Sequence, residues 1–390
     1  MLVIDRVAGD RSAGQGSRLV LAVIPSRRPI PIVALALRCR SPAVPPWLLR
    51  RPSPARLGLM PRIPAVLSNF GGAFAGANGH HDMLLSREDI VRAAITTGYP
   101  NLAAATMPAT FHRTWAVLYR ASIVLAYLDA PAGDRIVRSD DYNRADRSEK
   151  GSISYYLGLF GAKLGAEAFL RTPWMWHYDA YHRLAHGVGP IARRPDLIGR
   201  ATTGEWITVE AKGRTNGWTD ELRTAAKDQA QAINQIVHPG GAVDDVEANV
   251  ASLSFFDGEG WCLLMDDPPA RTQPLRLTAV PDELYRAYYR PVLDYVGAAL
   301  QSDEAQSVRV VGVDFKVAYD RDLDLFVGLA SAIIETEGAD IERIRDSVSE
   351  ILALPDRRAT QPAERLRDDQ GSLWSMGPDG VIVRLGDRWQ

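Results

Sequence analysis

Two strand-like segments joined by a turn decide the fold: Arg194-Pro195-Asp196-Leu197-Ile198-Gly199-Arg200, then Ala201-Thr202-Thr203-Gly204, then Glu205-Trp206-Ile207-Thr208-Val209-Glu210-Ala211-Lys212-Gly213-Arg214. β-Branched and aromatic residues recur in the outer segments, whereas the connecting residues are typical of a turn, so this stretch predicts a β-hairpin. Because successive side chains of a strand point to opposite faces, Thr208, Glu210 and Lys212 share one face. Val209 and Ala211 share the other face, which can enter an apolar core.

A three-residue loop over 202–204 sets the register of this hairpin and places Asp196 directly opposite Glu210. Directly paired Cβ atoms lie roughly 5 Å apart, and two carboxylates at that distance repel by about 3 kcal/mol at an effective dielectric near 20. A divalent cation between them removes this repulsion, and two oxygen ligands with open positions suit Mg²⁺. Lys212 shares the face of Glu210, where its ammonium can orient a water or offset charge on a phosphate.

Pro195-Asp196 followed by Glu210-Ala211-Lys212 resembles the motif of the PD-(D/E)XK nuclease superfamily, and the resemblance covers roughly residues 150–320. It implies an α/β, restriction-endonuclease-like fold, in which helices flank a mixed central sheet. It also implies that Asp196 and Glu210 bind Mg²⁺, for which Mn²⁺ can substitute. Lys212 then assists the attacking nucleophile.

The same resemblance implies site residues outside the hairpin. The family commonly carries a Glu on the helix before the first core strand, and Glu167 matches it by position as a further metal ligand. A helix after the motif often brings a Gln to the site, for which Gln229 is the best match and Gln231 the second. Phosphate contacts are expected from basic residues near the motif: Arg193, Arg194, Arg200, Arg214 and Lys227.

Two other groups of residues compete with the hairpin as sites. His177, Asp179, His182 and His186 form a cluster in which the last two histidines, if helical, would be neighbours able to hold Zn²⁺. Asp314-Phe315-Lys316 repeats the acidic-x-Lys spacing on a predicted strand. No Pro-Asp precedes it at the usual distance, so we expect a strand with outward charges.

The sequence therefore predicts a metal-dependent nuclease that hydrolyses phosphodiester bonds, with DNA as the expected substrate. Two alternatives remain open. One is a catalytically inactive nucleic-acid-binding or assembly module of the same fold, and the other is a zinc-dependent hydrolase built on the cluster between His177 and His186. Cleavage of two strands would also be compatible with a homodimer.

The composition excludes several protein classes. The chain has 390 residues, and its net charge of −2 excludes a protein that coats nucleic acid through a globally basic surface, so any polyanion site must be local. Its two cysteines exclude a disulfide scaffold or a Cys-rich zinc module and favour a reducing compartment. No run of eighteen apolar residues is present, so we expect a cytoplasmic protein without a membrane partner.

The pattern along the chain predicts five segments: a disordered Arg/Pro-rich extension (1–65), a helical N-terminal region (66–148), the nuclease-like domain (149–320), a C-terminal helical segment (321–355) and a polar tail (356–390). No acidic residue occurs from Arg11 to His81, which favours disorder there, with Met60 or Met83 as an alternative first residue.

Individual elements follow from periodicity and capping signals. Ser86-Arg87-Glu88-Asp89 predicts a capping box that opens a helix through about 97. Further helices are expected at 111–128, 153–171, 219–237 and 282–300, one or two more over 323–353, and strands at 249–256, 261–265 and 308–319. Loops are expected at 129–150 and 173–181, and a small hairpin around 377–380.

Overall fold

The structure is a computed structural model that describes residues 60–99, 111–130, 134–181, 194–258, 260–269, 275–301, 305–336, 344 and 364–389. These residues form a mixed α/β protein. Its helices are α1 (Arg87–Thr96), α2 (Phe111–Tyr127), α3 (Asp140–Arg144), α4 (Arg147–Leu170), α5 (Tyr178–Tyr181), α6 (Asp220–Ala230), α7 (Pro281–Gln301) and α8 (Ser331–Glu335). Two 3₁₀ turns span Gly72–Ala77 and Asp387–Trp389.

Seventeen strands are described. They are β1 (Arg62–Ser68), β2 (Gly79–Leu84), β3 (Leu128–Asp129), β4 (Val137–Arg138), β5 (Trp174–His177), β6 (Leu197–Arg200), β7 (Trp206–Arg214), β8 (Ile233–Val237), β9 (Val243–Phe256), β10 (Trp261–Asp266), β11 (Leu275–Thr278), β12 (Gln306–Val310), β13 (Val313–Asp320), β14 (Leu325–Ala330), β15 (Glu364–Arg367), β16 (Leu373–Met376) and β17 (Val381–Leu385).

Nine of these strands form a mixed central sheet. Its main path runs β2-β1-β10-β9-β7-β6-β5, while β8 pairs with β9 and β11 pairs with β8. The pairs β1–β10, β7–β9 and β8–β11 are parallel, and the remaining pairs are antiparallel. The expected coarse class, a mixed central sheet with flanking helices, is therefore present.

Helices cover both faces of this sheet. Helix α4 lies so close to β7 that a Cβ on Gly158 would come within 2.6 Å of the Gly213 nitrogen, so only glycine permits this approach. On the opposite face, Ala226 of α6 packs with Leu253 and Leu264. Lys212 pairs with Leu253, and paired residues of a sheet share a face, so the charged face of the hairpin lies on the side of α6.

The six remaining long strands form a second, antiparallel sheet in the order β12-β13-β14-β17-β16-β15. An isolated bridge between Val310 and Asp368 connects its two edges, so the sheet curls on itself. The hairpin expected around 377–380 is its β16–β17 connection. Residues 364–385 therefore contribute three strands to this sheet, although their composition is that of a polar tail.

The N-terminal part of the central sheet differs from the expectation. Residues 62–65 fall within the expected disordered extension, yet they begin β1, which pairs with β2 and β10. Because β10 lies about 200 residues away along the chain, no local sequence pattern predicts this pairing. Where a loop was expected over 129–150, the described residues 134–150 include β4 and α3 and begin α4, and 174–177 form β5.

Three further expectations are wrong at the level of single elements. The helix expected over 219–237 ends at Ala230, and the β-branched Ile233–Val237 forms β8. The strand expected over 308–319 is two strands separated by Val311 and Gly312, both at positive φ. The helix expected over 323–353 begins with a strand, Leu325–Ala330, whose apolar run carries no period to distinguish the two structures.

Candidate active site

The hairpin β6–β7 has the register that its loop length predicts. Arg200 pairs with Trp206 and Leu197 with Val209, so the next position, Asp196, lies opposite Glu210. The turn is closed by Ala201 N–H bonding the Glu205 carbonyl at 2.8 Å. Asp196 also continues the ladder to β5, because its carbonyl accepts the Tyr178 N–H at 2.8 Å.

Glu210 is the most deeply buried acidic residue of this hairpin. It is 1% exposed, and its Oε2 has no hydrogen-bond partner among the described residues, whereas its Oε1 forms an ion pair with the Lys212 ammonium. Burial and the negative charge of Asp196 raise the pKa of Glu210 to about 8, against the opposing effect of Lys212. A buried oxygen atom without a partner is costly, so Glu210 is a ready ligand for a cation.

The Asp196 carboxylate is hydrogen-bonded to the backbone of the neighbouring strand β7. Its Oδ2 accepts the Ala211 N–H at 3.0 Å. Burial raises the pKa of Asp196, while this N–H and the Lys212 charge oppose the shift. The hydrogen bond uses one carboxylate oxygen and orients the other, which leaves a second oxygen ligand beside Glu210.

A neutral histidine and a tyrosine lie near the hairpin: His177 pairs with Leu197, the residue after Asp196, and Tyr155 is within electrostatic reach of Asp196. The Tyr155 hydroxyl lies 3.3 Å from His177 Nε2, and the Asp179 N–H donates to His177 Nδ1 at 3.2 Å. Burial lowers the pKa of His177 to about 4, so the ring is neutral at pH 7. Because Nδ1 accepts, the ring proton is assigned to Nε2 and donated to the Tyr155 oxygen, which leaves the Tyr155 O–H free to donate elsewhere.

Sequence reasoning had no signal for Tyr155. It occupies α4 between the positions of the apolar stripe, 39% exposed, and only the packing of α4 against the sheet brings it to β5 and Asp196. Burial and the charge of Asp196 raise the pKa of Tyr155 to about 12, so the phenol stays uncharged. His177 and Asp179 were recognised from the sequence, but as a zinc cluster.

Glu167 does not join the two hairpin carboxylates. It is fully buried in a separate cluster, where it pairs with Arg92 at 2.5 Å and Lys163 at 2.9 Å, near Asp379 and Tyr288. Burial opposes its ionisation, but the charges of Arg92 and Lys163 outweigh this and hold the pKa of Glu167 below its ordinary value. The structure thus corrects its expected role as a metal ligand: its charge is already balanced elsewhere.

Within the described part of the chain, the two candidate site residues on α6, Lys227 and Gln229, show no contact with the hairpin carboxylates. The Lys227 ammonium pairs with Asp266 at 2.7 Å, and Arg223 pairs with the same carboxylate. Gln229 is half-buried. Lys227 is therefore engaged by a buried acid, whereas Gln229 lies on the helix that covers the site face.

The arginines near the motif have different surroundings. Arg194 pairs with Asp179 at 2.5 Å, and Arg200 lies 5.0 Å from the centre of the Trp206 ring. Arg193, His182 and His186 lie outside the described residues. Among the residues described, no group of three or more His, Cys, Asp or Glu side chains is arranged to hold a metal ion. This absence does not test the zinc cluster, because two of its four residues lie outside the described ranges.

An open cleft of about 600 Å³ lies where β7 ends. Its basic side chains are Arg147, Lys150 and Arg214, and no described residue of its lining carries a carboxylate. Lys150 also donates to the Asn143 carbonyl at 2.8 Å. We call this feature the basic cleft. It begins one residue after Lys212 and provides a local positive surface on a chain whose net charge is −2.

No protein-family model, curated protein or solved structure matches this chain. No helix within the described ranges is long and apolar enough to cross a membrane.

The raised pKa of Glu210 predicts a pH-dependent stability in the presence of a chelator. The folded protein retains a proton on Glu210 up to about pH 8, whereas the unfolded chain releases it near pH 4.5. The free energy of unfolding therefore falls between pH 5 and 8, by about 3 kcal/mol from this group. Urea unfolding at several pH values should show this decrease in the wild type and a smaller one in Glu210→Gln, since the amide cannot titrate. Parallel curves for both proteins would contradict the assignment.

Proposed function

We propose that the protein is a metal-dependent nuclease with a PD-(D/E)XK-type site on a restriction-endonuclease-like sheet. The observation that supports this best is the pair Asp196 and Glu210, held opposite each other across β6 and β7 with the Lys212 ammonium on Glu210. A buried carboxylate pair is costly, and beyond the Lys212 ammonium its second charge must be relieved by a proton or by a bound cation. Mg²⁺ is the hard cation that such oxygen ligands suit.

The donor set fits a divalent cation. Glu210 Oε2 has no hydrogen-bond partner among the described residues, and the hydrogen bond of Asp196 uses only its Oδ2. The raised pKa of Glu210 means that a second negative charge is unfavourable in this pair, so a positively charged ligand is favoured there. When bound, Mg²⁺ supplies Lewis-acid polarisation of a phosphate oxygen and a lower pKa for bound water.

The residues around the pair provide positioning and charge. Lys212 is 27% exposed, so protons of its ammonium that do not face Glu210 can bond an attacking water or a phosphate oxygen. Tyr155 has an O–H that His177 leaves free, and this neutral donor can bind a phosphate oxygen without adding charge. Both groups act on a substrate whose backbone is anionic.

Cleavage of linear and circular duplexes, single strands and RNA, each with Mg²⁺, Mn²⁺ or chelator, tests this proposal. We expect cleavage with either metal and none with chelator. Binding without cleavage under every condition would identify the catalytically inactive module instead. Cleavage that depends on stoichiometric Zn²⁺ would identify the zinc hydrolase.

Metal binding can also be followed without a substrate. Mg²⁺ should raise the melting temperature of the wild type by several degrees, since a ligand at 100 times its Kd adds about 2.7 kcal/mol of stability. Glu210→Gln should show no such shift, because it loses a charged ligand. Asp314→Asn is the matched control: this exposed residue occupies the other acidic-x-Lys sequence, on β13, and should keep the full shift. Equal shifts in the wild type and Glu210→Gln would refute the site.

A further inference from the structure

Three of the seven exposed large apolar side chains among the described residues lie together on α2 and α4. Trp115 is 52% exposed, Tyr119 53% and Tyr155 39%. Tyr119 contacts the half-buried Tyr156 at 5.7 Å between ring centres, and Tyr155 contacts Tyr156 at 5.4 Å. Trp115 lies one helical turn before Tyr119 on the same face of α2. We call these four residues the aromatic shelf.

One end of the aromatic shelf lies within electrostatic reach of one member of the carboxylate pair, Asp196. Tyr155, at this end, bonds His177. It also follows Ser154, which lines the basic cleft from the same helix. The aromatic rings and the cations of the basic cleft therefore lie less than one helical turn apart along α4.

We propose that a single-stranded nucleic acid lies along this junction, with its bases stacked on the aromatic shelf and its phosphates directed to the basic cleft. The proposal names the substrate of the proposed nuclease and in that sense rests on it. Exposed aromatic rings beside a positively charged groove are the combination that binds unpaired strands, because every base offers a π-face. In a duplex those faces are stacked on each other and cannot reach the rings.

Charge and spacing both favour this occupant over another protein. The described residues that line the basic cleft include cations but no carboxylate, so the positive charge of the cleft is not balanced within its lining. The phosphates of a nucleic-acid backbone would balance it. Arg214 follows Glu210 by four residues on β7, which corresponds to about 13 Å along a strand. A strand held at Arg214 therefore reaches the carboxylate pair within a few nucleotides.

Binding of labelled oligonucleotides to the full chain in chelator tests the proposal. The probes are a fluorescein-labelled dT20, an rU20 of the same length and a 20-base-pair duplex, followed by fluorescence anisotropy. We expect the single strands to bind more tightly than the duplex, and the ratio of dT20 to rU20 identifies the sugar. Trp115→Ala and Tyr119→Ala should each weaken single-strand binding roughly tenfold, the usual effect of removing one stacked ring.

Two kinds of control keep the test specific. Tyr119→Phe retains the ring and should bind like the wild type. Leu275→Ala and Leu300→Ala remove exposed apolar side chains elsewhere and should also leave binding unchanged. Melting temperatures equal to that of the wild type show that each variant is folded.

The outcomes separate this proposal from the nuclease proposal. Equal affinity for the duplex, or wild-type affinity in Trp115→Ala and Tyr119→Ala, overturns the aromatic shelf as a binding surface. Disruption of a dimer by Trp115→Ala with unchanged binding overturns it as well, in favour of a protein interface. Aromatic-dependent binding without cleavage under any metal condition would instead refute the nuclease and leave the single-strand site.

Discussion

Replacing either hairpin carboxylate by its amide, Asp196→Asn or Glu210→Gln, is expected to reduce cleavage by roughly a thousandfold or more. Each change removes a charged ligand from a two-carboxylate site, and a metal ion contributes several kcal/mol of transition-state stabilisation, at tenfold in rate per 1.4 kcal/mol. The fold should persist, since each amide has nearly the shape of the carboxylate. Glu210→Gln should even be more stable than the wild type above pH 8, because the amide carries no buried charge.

Single-turnover cleavage with saturating Mg²⁺, together with the melting temperature of each variant, measures this effect. Asp314→Asn and Lys316→Ala are the matched controls, because they change the second acidic-x-Lys sequence on the exposed face of β13. Both should cleave like the wild type. If the hairpin amides retain more than about a tenth of the wild-type rate while folded, the carboxylate pair is not the catalytic site.

Removing the charge of Glu167 is expected to destabilise the protein by about 3–5 kcal/mol, the usual cost of breaking a buried ion pair. Glu167→Gln removes one charged partner of Arg92 and Lys163, both fully buried, while their ion pairs with Asp379 remain. The cluster joins α1 and α4 to the β16–β17 turn, so its loss also weakens the attachment of the second sheet. The effect should therefore appear in stability and not primarily in the rate of the folded protein.

The free energy of unfolding from urea titration tests this prediction. Asp140→Asn is a close control: Asp140 and Arg144 have the same i,i+4 spacing as Lys163 and Glu167 but are 85% and 76% exposed. It should change stability by less than about 0.5 kcal/mol. If Glu167→Gln instead loses cleavage without loss of stability, Glu167 acts at the site after all, as its position before the first core strand suggested.

Local chemistry explains which parts of the fold were predictable. The capping box of α1 is formed by residues three positions apart, and both of its hydrogen bonds are present. The β6–β7 register follows from a loop in which Gly204 has φ near +111°, as a tight connection between two strands requires. Interactions of this range lie within a single stretch of sequence and can be inferred from it.

Long-range packing explains what was not predictable. Strand β1 pairs with β10 across about 200 residues, and β14 lies in the middle of a sheet whose other strands come from both sides of it in sequence. A short apolar run such as Leu325–Ala330 fits a helix or a strand equally well until its neighbours are known.

The sequence by itself determined the hairpin, its register and therefore the juxtaposition of Asp196, Glu210 and Lys212, because alternation along a strand and the length of a turn are local properties. Only the tertiary structure decided that Glu167 faces Arg92 and Lys163, and that Tyr155 contacts His177 within electrostatic reach of Asp196. Those positions depend on how α4 packs across the sheet and on which residues of α1 and the β16–β17 turn meet it. Such contacts join segments up to 286 residues apart, and no pattern within one segment encodes them.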